Sequence, residues 1–295
     1  MGRVLETQVR KTRSNNLVFA CTLVALFAVS FAFPVYLAGR ITGLFANSTS
    51  SVNPEEAPQD ELFPEAASIS GTDSFIRVAN SAHLDPPTDK DFLMTVWIRL
   101  RNLPPRGERI IVLQRFDQFD VSKRGYAIAL ERDGDVIRPL AYWRSLGARG
   151  GWHAFAEAEI SAKQWVMLSL CFYSGRYLGM HAVVPQPDGS ATVTLLGGVD
   201  LGEPLYATSS SDLLIGAPGA DLFRGKIGSF GILAKNDLAS HLKDYLEEMG
   251  ERPGQVPNSL SENNIRLWAG DAQSDQSKFQ HKIEFIRNSQ RRKDS

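Results

Sequence analysis

From Asp73 to about Leu233 the chain alternates apolar and polar residues with a period of two, in short runs broken by turn residues. The runs are FIRVA, FLMTVWIRLR, RIIVLQRF, GYAIALE, VIRPLAYW, QWVMLSLCFY, YLGMHAVV, SATVTLL, DLLIGA and FRGKIGSFGIL. Side chains on a strand point alternately to opposite faces, so each run presents one apolar and one mixed face. In Met94–Arg101 the apolar set is Met94, Val96, Ile98 and Leu100, and the other set is Thr95, Trp97, Arg99 and Arg101. The breaks carry turn chemistry: Leu103-Pro104-Pro105-Arg106-Gly107, Asp133-Gly134-Asp135, Tyr173-Ser174-Gly175 and Pro187-Asp188-Gly189. Glycine accepts the positive φ that tight hairpins demand. Many short strands with almost no helical pattern among them predict an all-β fold, a two-sheet antiparallel sandwich.

The flanks differ. Residues 17–39 carry no charge, and about 20 apolar residues suffice for a membrane-spanning helix. Arg3, Arg10, Lys11 and Arg13 precede this run, and after Arg40 the next basic residue is Arg77. That asymmetry predicts a cytoplasmic N-terminus over 1–16, a signal-anchor helix over 17–39, and the remainder outside the cytoplasm, periplasmic or extracellular. A cleaved signal peptide is the competing reading, and the length of the run favours the anchor. Residues 40–72 read as an acidic Pro/Ser linker with too little apolar surface to fold alone. The sandwich is expected over 73–250, closing with an amphipathic helix in Asn236–Met249, where Leu238, Leu242, Tyr245, Leu246 and Met249 recur at helical spacing. Residues 251–295 are expected to be a partly disordered extension, with one short strand at Ile265–Ala269 and a basic helix at Lys278–Arg287.

Charge and cysteine content narrow the function. The net charge of −1 gives no global bias toward nucleic acid. The two cysteines are Cys21, inside the apolar run, and Cys171, so a disulfide scaffold and a cysteine-based zinc cluster are excluded. The folded part must be held by its own core.

Four stretches resemble a known family. Phe92–Leu100 resembles the strand that begins laminin G-like, concanavalin A-like jelly rolls. Gly125–Leu130 resembles the strand that follows, Gln164–Leu170 the mid-domain strand, and Phe223–Phe230 the closing strand. Val166-Met167 stand where that family usually has a histidine pair, and Gly228-Ser229 where it has an acidic pair. The resemblance implies a jelly roll that recognises a glycan or a partner protein without catalysis. It also implies that Ca²⁺ at the sandwich rim is possible, for which Asp117, Asp120 and Asp221 are the candidate ligands.

Three sets of residues offer chemistry. Trp97, Arg99 and Arg101 put an aromatic plate beside two guanidinium forks, a combination suited to sugar rings and their hydroxyl or carboxylate groups. Trp143 and Trp152 add aromatics expected in flanking loops, and for Trp97 itself packing beneath a loop is the expected role, with recognition the competing one. The same superfold hosts glucanases, whose retaining mechanism needs two carboxylates roughly 5–5.5 Å apart. Glu131, Asp133 and Asp135 are the only such constellation in the strands, and Asp133-Gly134 reads as a solvated hairpin tip. No serine-nucleophile elbow or phosphate-cradling loop is present, and His83, His153, His181, His241 and His281 lack metal spacing. A third expectation is a structural part of an envelope complex that uses the helix or the basic tail.

Overall fold

The computed structural model describes residues 62–70, 74–116, 124–144, 150–158, 160–173, 176–201, 208–216 and 223–287. The expected anchor 17–39, the N-terminus 1–16, residues 40–61 of the linker and the tail 288–295 lie outside the described residues. Among the described residues no helix is long and apolar enough to cross a membrane.

The described chain is mostly β, with two antiparallel sheets forming a sandwich and one short α-helix. All ten alternating runs form strands. They are β2 (Ser74–Val78), β3 (Asp91–Leu100), β4 (Arg109–Arg115), β5 (Gly125–Asp133), β6 (Val136–Arg144), β8 (Trp165–Tyr173), β9 (Tyr177–Pro185), β10 (Ala191–Asp200), β11 (Leu213–Ile215) and β12 (Gly225–Lys235). Four more strands join them: β1 (Ala67–Ile69), β7 (Gly150–Ala154), β13 (Ile265–Ala269) and β14 (Ile283–Arg287). The first sheet runs β1-β12-β3-β8-β9-β10, and the second runs β14-β2-β11-β4-β5-β6-β7. β1 and β13 divide the length of β12, pairing with Gly225–Ile227 and Phe230–Leu233 respectively. At the β5–β6 turn, Gly134 takes φ +63° at the first of two loop residues, which fits the right-handed twist of the hairpin.

Two apolar layers sit on the first sheet. Between the sheets, Met94, Val96, Ile98 and Leu100 join inward residues of the second sheet such as Tyr126, Ile128 and Trp143. On the opposite face, Leu93, Trp97, Trp165, Met167 and Leu233 are covered by a 3₁₀ turn (Leu238–His241) and α1 (Leu242–Glu251), with Phe63, Leu260 and Trp268. β3 is covered on both faces, and every residue of it except Arg99 is buried.

The boundaries of the folded unit differ from expectation at both ends. Residues 62–70 were assigned to the solvated linker, yet Phe63 is buried and β1 pairs with β12. The segment lacks a core of its own and borrows that of the first sheet. Residues 265–287 likewise belong to the sandwich. β13 extends the first sheet, and β14 pairs with β2 where a basic helix was expected. In Ile283–Arg287 three of the five residues are Ile or Phe, which favour strands, and pairing with β2 satisfies the backbone, so strand wins over the weak helical spacing. α1 begins later than expected: Asp237 takes a left-handed φ of 55° without a side-chain cap bond, and a 3₁₀ turn precedes the helix.

Candidate functional site: a basic groove at one end of the first sheet

β3 ends with Arg99 and Leu100, and cross-strand register decides what surrounds them. Arg99 lies opposite Lys226 of β12 on one side and Trp165 of β8 on the other. Lys226 in turn lies opposite Ser68 of β1. Directly opposed residues on neighbouring strands share a face, so Ser68, Lys226, Arg99 and Trp165 form one row across the sheet. Beyond the strand end, the Arg101 N–H donates to the Arg224 carbonyl at 3.0 Å. Lys163, at φ +65° in the turn before β8, donates its N–H to the Leu100 carbonyl at 2.8 Å. Its own carbonyl accepts from Arg99 Nε at 2.6 Å. The turn therefore fixes the stem of Arg99 and brings a further cation beside it.

Ser68, Arg99, Arg101, Lys163 and Lys226 line a groove of about 370 Å³ together with Ile69, Leu100 and Gly225. Among the described residues that line it, four side chains are cationic (Arg99, Arg101, Lys163 and Lys226) and none is acidic. Ser68 and Ser70 supply hydroxyls on the β1 side. Guanidinium forks and ammonium groups around an open trough are suited to carboxylate or sulfate oxygens.

The structure separates the other residues expected near this site. Trp97 shares the outer face with Arg99 but is only 2% exposed. The Phe63 ring lies 5.6 Å from it and 4.8 Å from Trp165. The alternation assigned the faces of β3 correctly, and the second apolar layer above Trp97 gives it the packing role and takes it out of the groove. Trp143 is also corrected. It lies on β6 rather than a loop, its side chain is fully buried between the sheets, and its ring stacks on Phe172 at 4.2 Å. Trp152, on β7, is half-buried on the far face of the second sheet, 5.3 Å from Tyr142 and beneath Arg109 at 4.5 Å. It does not meet the basic groove. Asp117, Asp120 and Asp221 lie outside the described residues. Among the described residues no three His, Cys, Asp or Glu side chains gather where they would hold a metal ion.

The three candidate carboxylates are each tied to an arginine. Glu131 pairs with Arg109 at 3.0 Å, Asp133 with Arg138 at 3.0 Å and Asp135 with Arg106 at 2.5 Å. Asp135 is 80% exposed, and the hydrogen bond from Arg106 lowers its pKa. A glycosidase acid needs the opposite, a raised pKa in an apolar pocket. The hairpin that carries these residues forms a solvated ion-pair cluster.

Sequence reasoning found Arg99 and Arg101 and missed Lys163, Lys226, Ser68 and Ser70. The missing signal was register. Lys226 is 127 positions from Arg99, and only the pairing of β3 with β12 makes them neighbours.

No protein-family model matches the chain, and no curated protein matches it in sequence. Several solved structures are similar in shape. The binding domain of Paraclostridial Mosquitocidal Protein 1 is 12% identical, with a TM-score of 0.45 over 62% of this chain and 46% of that one. The botulinum neurotoxin serotype G binding domain is 13% identical, with a TM-score of 0.42 over 61% of this chain and 46% of that one. The Ruminococcus gnavus IT-sialidase CBM40 bound to α2,3 sialyllactose is 11% identical, with a TM-score of 0.41 over 58% of this chain and 89% of that one. This chain spans less than half the length of the two toxin binding domains it matches.

Proposed function

We propose that the protein is a membrane-anchored recognition module of the laminin G-like kind, held outside the cytoplasm by residues 17–39, whose basic groove binds an acidic glycan without turning it over. The observation that carries this reading is the gathering of Arg99, Arg101, Lys163 and Lys226 around one open groove. Carboxylate or sulfate groups that enter the groove would meet several cationic side chains at once. The carboxylates Glu131, Asp133 and Asp135 are committed to arginines at a hairpin tip, which favours binding over hydrolysis.

The test measures affinity of the full-length chain, in detergent, for acidic and neutral oligosaccharides at two salt concentrations. A charge-assisted hydrogen bond contributes about 1.5–3 kcal/mol, so Arg99→Ala and Lys226→Ala should each weaken acidic ligands roughly ten- to a hundredfold. Affinity should also fall as salt rises. Equal binding of neutral and acidic ligands, or variants that bind like the parent, would remove the groove as the site. The topology is tested separately by adding protease to intact cells or spheroplasts. Digestion of the sandwich is expected from the basic flank before residues 17–39 and the acidic one after, and a sandwich that survives would place it in the cytoplasm.

A further inference from the structure

A second groove, of about 390 Å³, adjoins the basic one, and Ser68 of β1 lines both. It runs between β1 and β14, the edge strands of the two sheets, and its chemistry is different. Ile283, Phe285 and Arg287 alternate along β14 and all line it. Phe285 is 38% exposed, one of the few large apolar side chains left at the surface among the described residues. The Arg287 guanidinium lies over its ring, 5.0 Å from the centroid. Across the groove the Gln273 side-chain amide donates to the Glu65 carboxylate at 3.2 Å and to the Glu65 carbonyl at 3.4 Å. One cation and one anion make this groove charge-balanced, whereas its neighbour holds four cations.

An exposed aromatic ring beside an amide and a carboxylate suits an uncharged sugar, whose CH face packs on the ring and whose hydroxyls meet the polar groups. An acidic sugar gains less here than in the basic groove, because Glu65 offsets Arg287. Resting on the reading of the basic groove as an acidic-glycan site, we infer that the two grooves are successive subsites for one chain. A charged unit binds among Arg99, Arg101, Lys163 and Lys226. The chain passes over Ser68, and a neutral neighbouring unit packs on Phe285. The ligand class is then a glycan that alternates acidic and uncharged units, rather than one charged at every position.

The experiment uses the full-length chain in detergent with three probes: glucuronate, hyaluronan oligosaccharides (which alternate uronate and neutral units) and oligogalacturonates of equal length (charged at every unit). Hyaluronan tetrasaccharide should bind on the order of tenfold more tightly than glucuronate, because it fills both grooves. Phe285→Ala should erase that gain and leave glucuronate binding unchanged. Phe285→Leu, which keeps an apolar side chain at the strand edge and removes the ring, should do the same with an unchanged melting temperature. Glu65→Gln should improve oligogalacturonate relative to hyaluronan. If glucuronate binds through Arg99 but neither chain length nor Phe285 matters, the two-groove inference falls and the basic-groove reading stands. If no acidic saccharide binds, or Arg99→Ala changes nothing, both fall. Poly-glutamate that competes as well as the tetrasaccharide would overturn the glycan class.

Discussion

Arg99 and Trp97 stand two positions apart on the same face of β3 and do different work, because the covering layer ends between them. Trp97 lies under Phe63 and the segment around α1, while Arg99 reaches the groove. Truncation of a buried tryptophan leaves a cavity and costs roughly 3–5 kcal/mol. Trp97→Ala should therefore lower the urea midpoint steeply, whatever ligand is present. A midpoint close to that of the parent would mean that the layer above Trp97 contributes little. Arg99→Ala, at a partly exposed position, should move the midpoint by no more than about 0.5 kcal/mol equivalent and act on ligand affinity instead. The contrast between the two variants separates packing from recognition on one strand.

At the scale of elements, the bulge in β12 explains a departure that the strand pattern alone left without a reason. The β3–β12 register shifts between Ile227 and Phe230, and Gly228 and Ser229 sit within the shift. A Cβ placed on Gly228 would lie 2.5 Å from the Phe63 ring. Glycine stands there because the segment before β1 presses its aromatic side chain onto the sheet. Phe63 also packs on Trp165, the residue opposite Arg99 in the β3–β8 pairing, so the docking of 62–66 covers the strand pair next to the candidate site. Gly228→Val should displace Phe63 and lower stability by about 1–3 kcal/mol, the usual cost of overpacking. Phe63→Ala should cost roughly 3–5 kcal/mol, and the double variant should cost less than the sum, since each removes the same contact. Strict additivity in thermal or urea melts would show that Phe63 and Gly228 do not share a socket.

At the scale of the whole molecule, the folded unit is longer than the alternating region. A fragment of residues 62–287 should melt cooperatively. One of residues 70–251 lacks Phe63, β1, β13 and β14, and should lose more than 15 °C of melting temperature or aggregate. A loss of about 1 kcal/mol lowers the midpoint by roughly 2–4 °C at this size, and several such losses are combined. Equal melting of the two fragments would make the added strands ornaments. The sequence by itself determined the antiparallel sandwich, the ten strands, the inward face of β3 and the hairpin at Gly134, because period-two alternation and turn chemistry are local properties. The Arg99 and Arg101 half of the groove was legible for the same reason. Long-range packing settled that the outer face of the first sheet carries a second apolar layer, that Trp143 lies between the sheets, and that Lys226 and Lys163 join Arg99. It also decided that Phe63 and the strand at Ile283–Arg287 belong to the domain. Those outcomes depend on pairing between residues more than a hundred positions apart and on borrowed burial, where a short segment such as 62–70 gains its structure only from the sheet it meets.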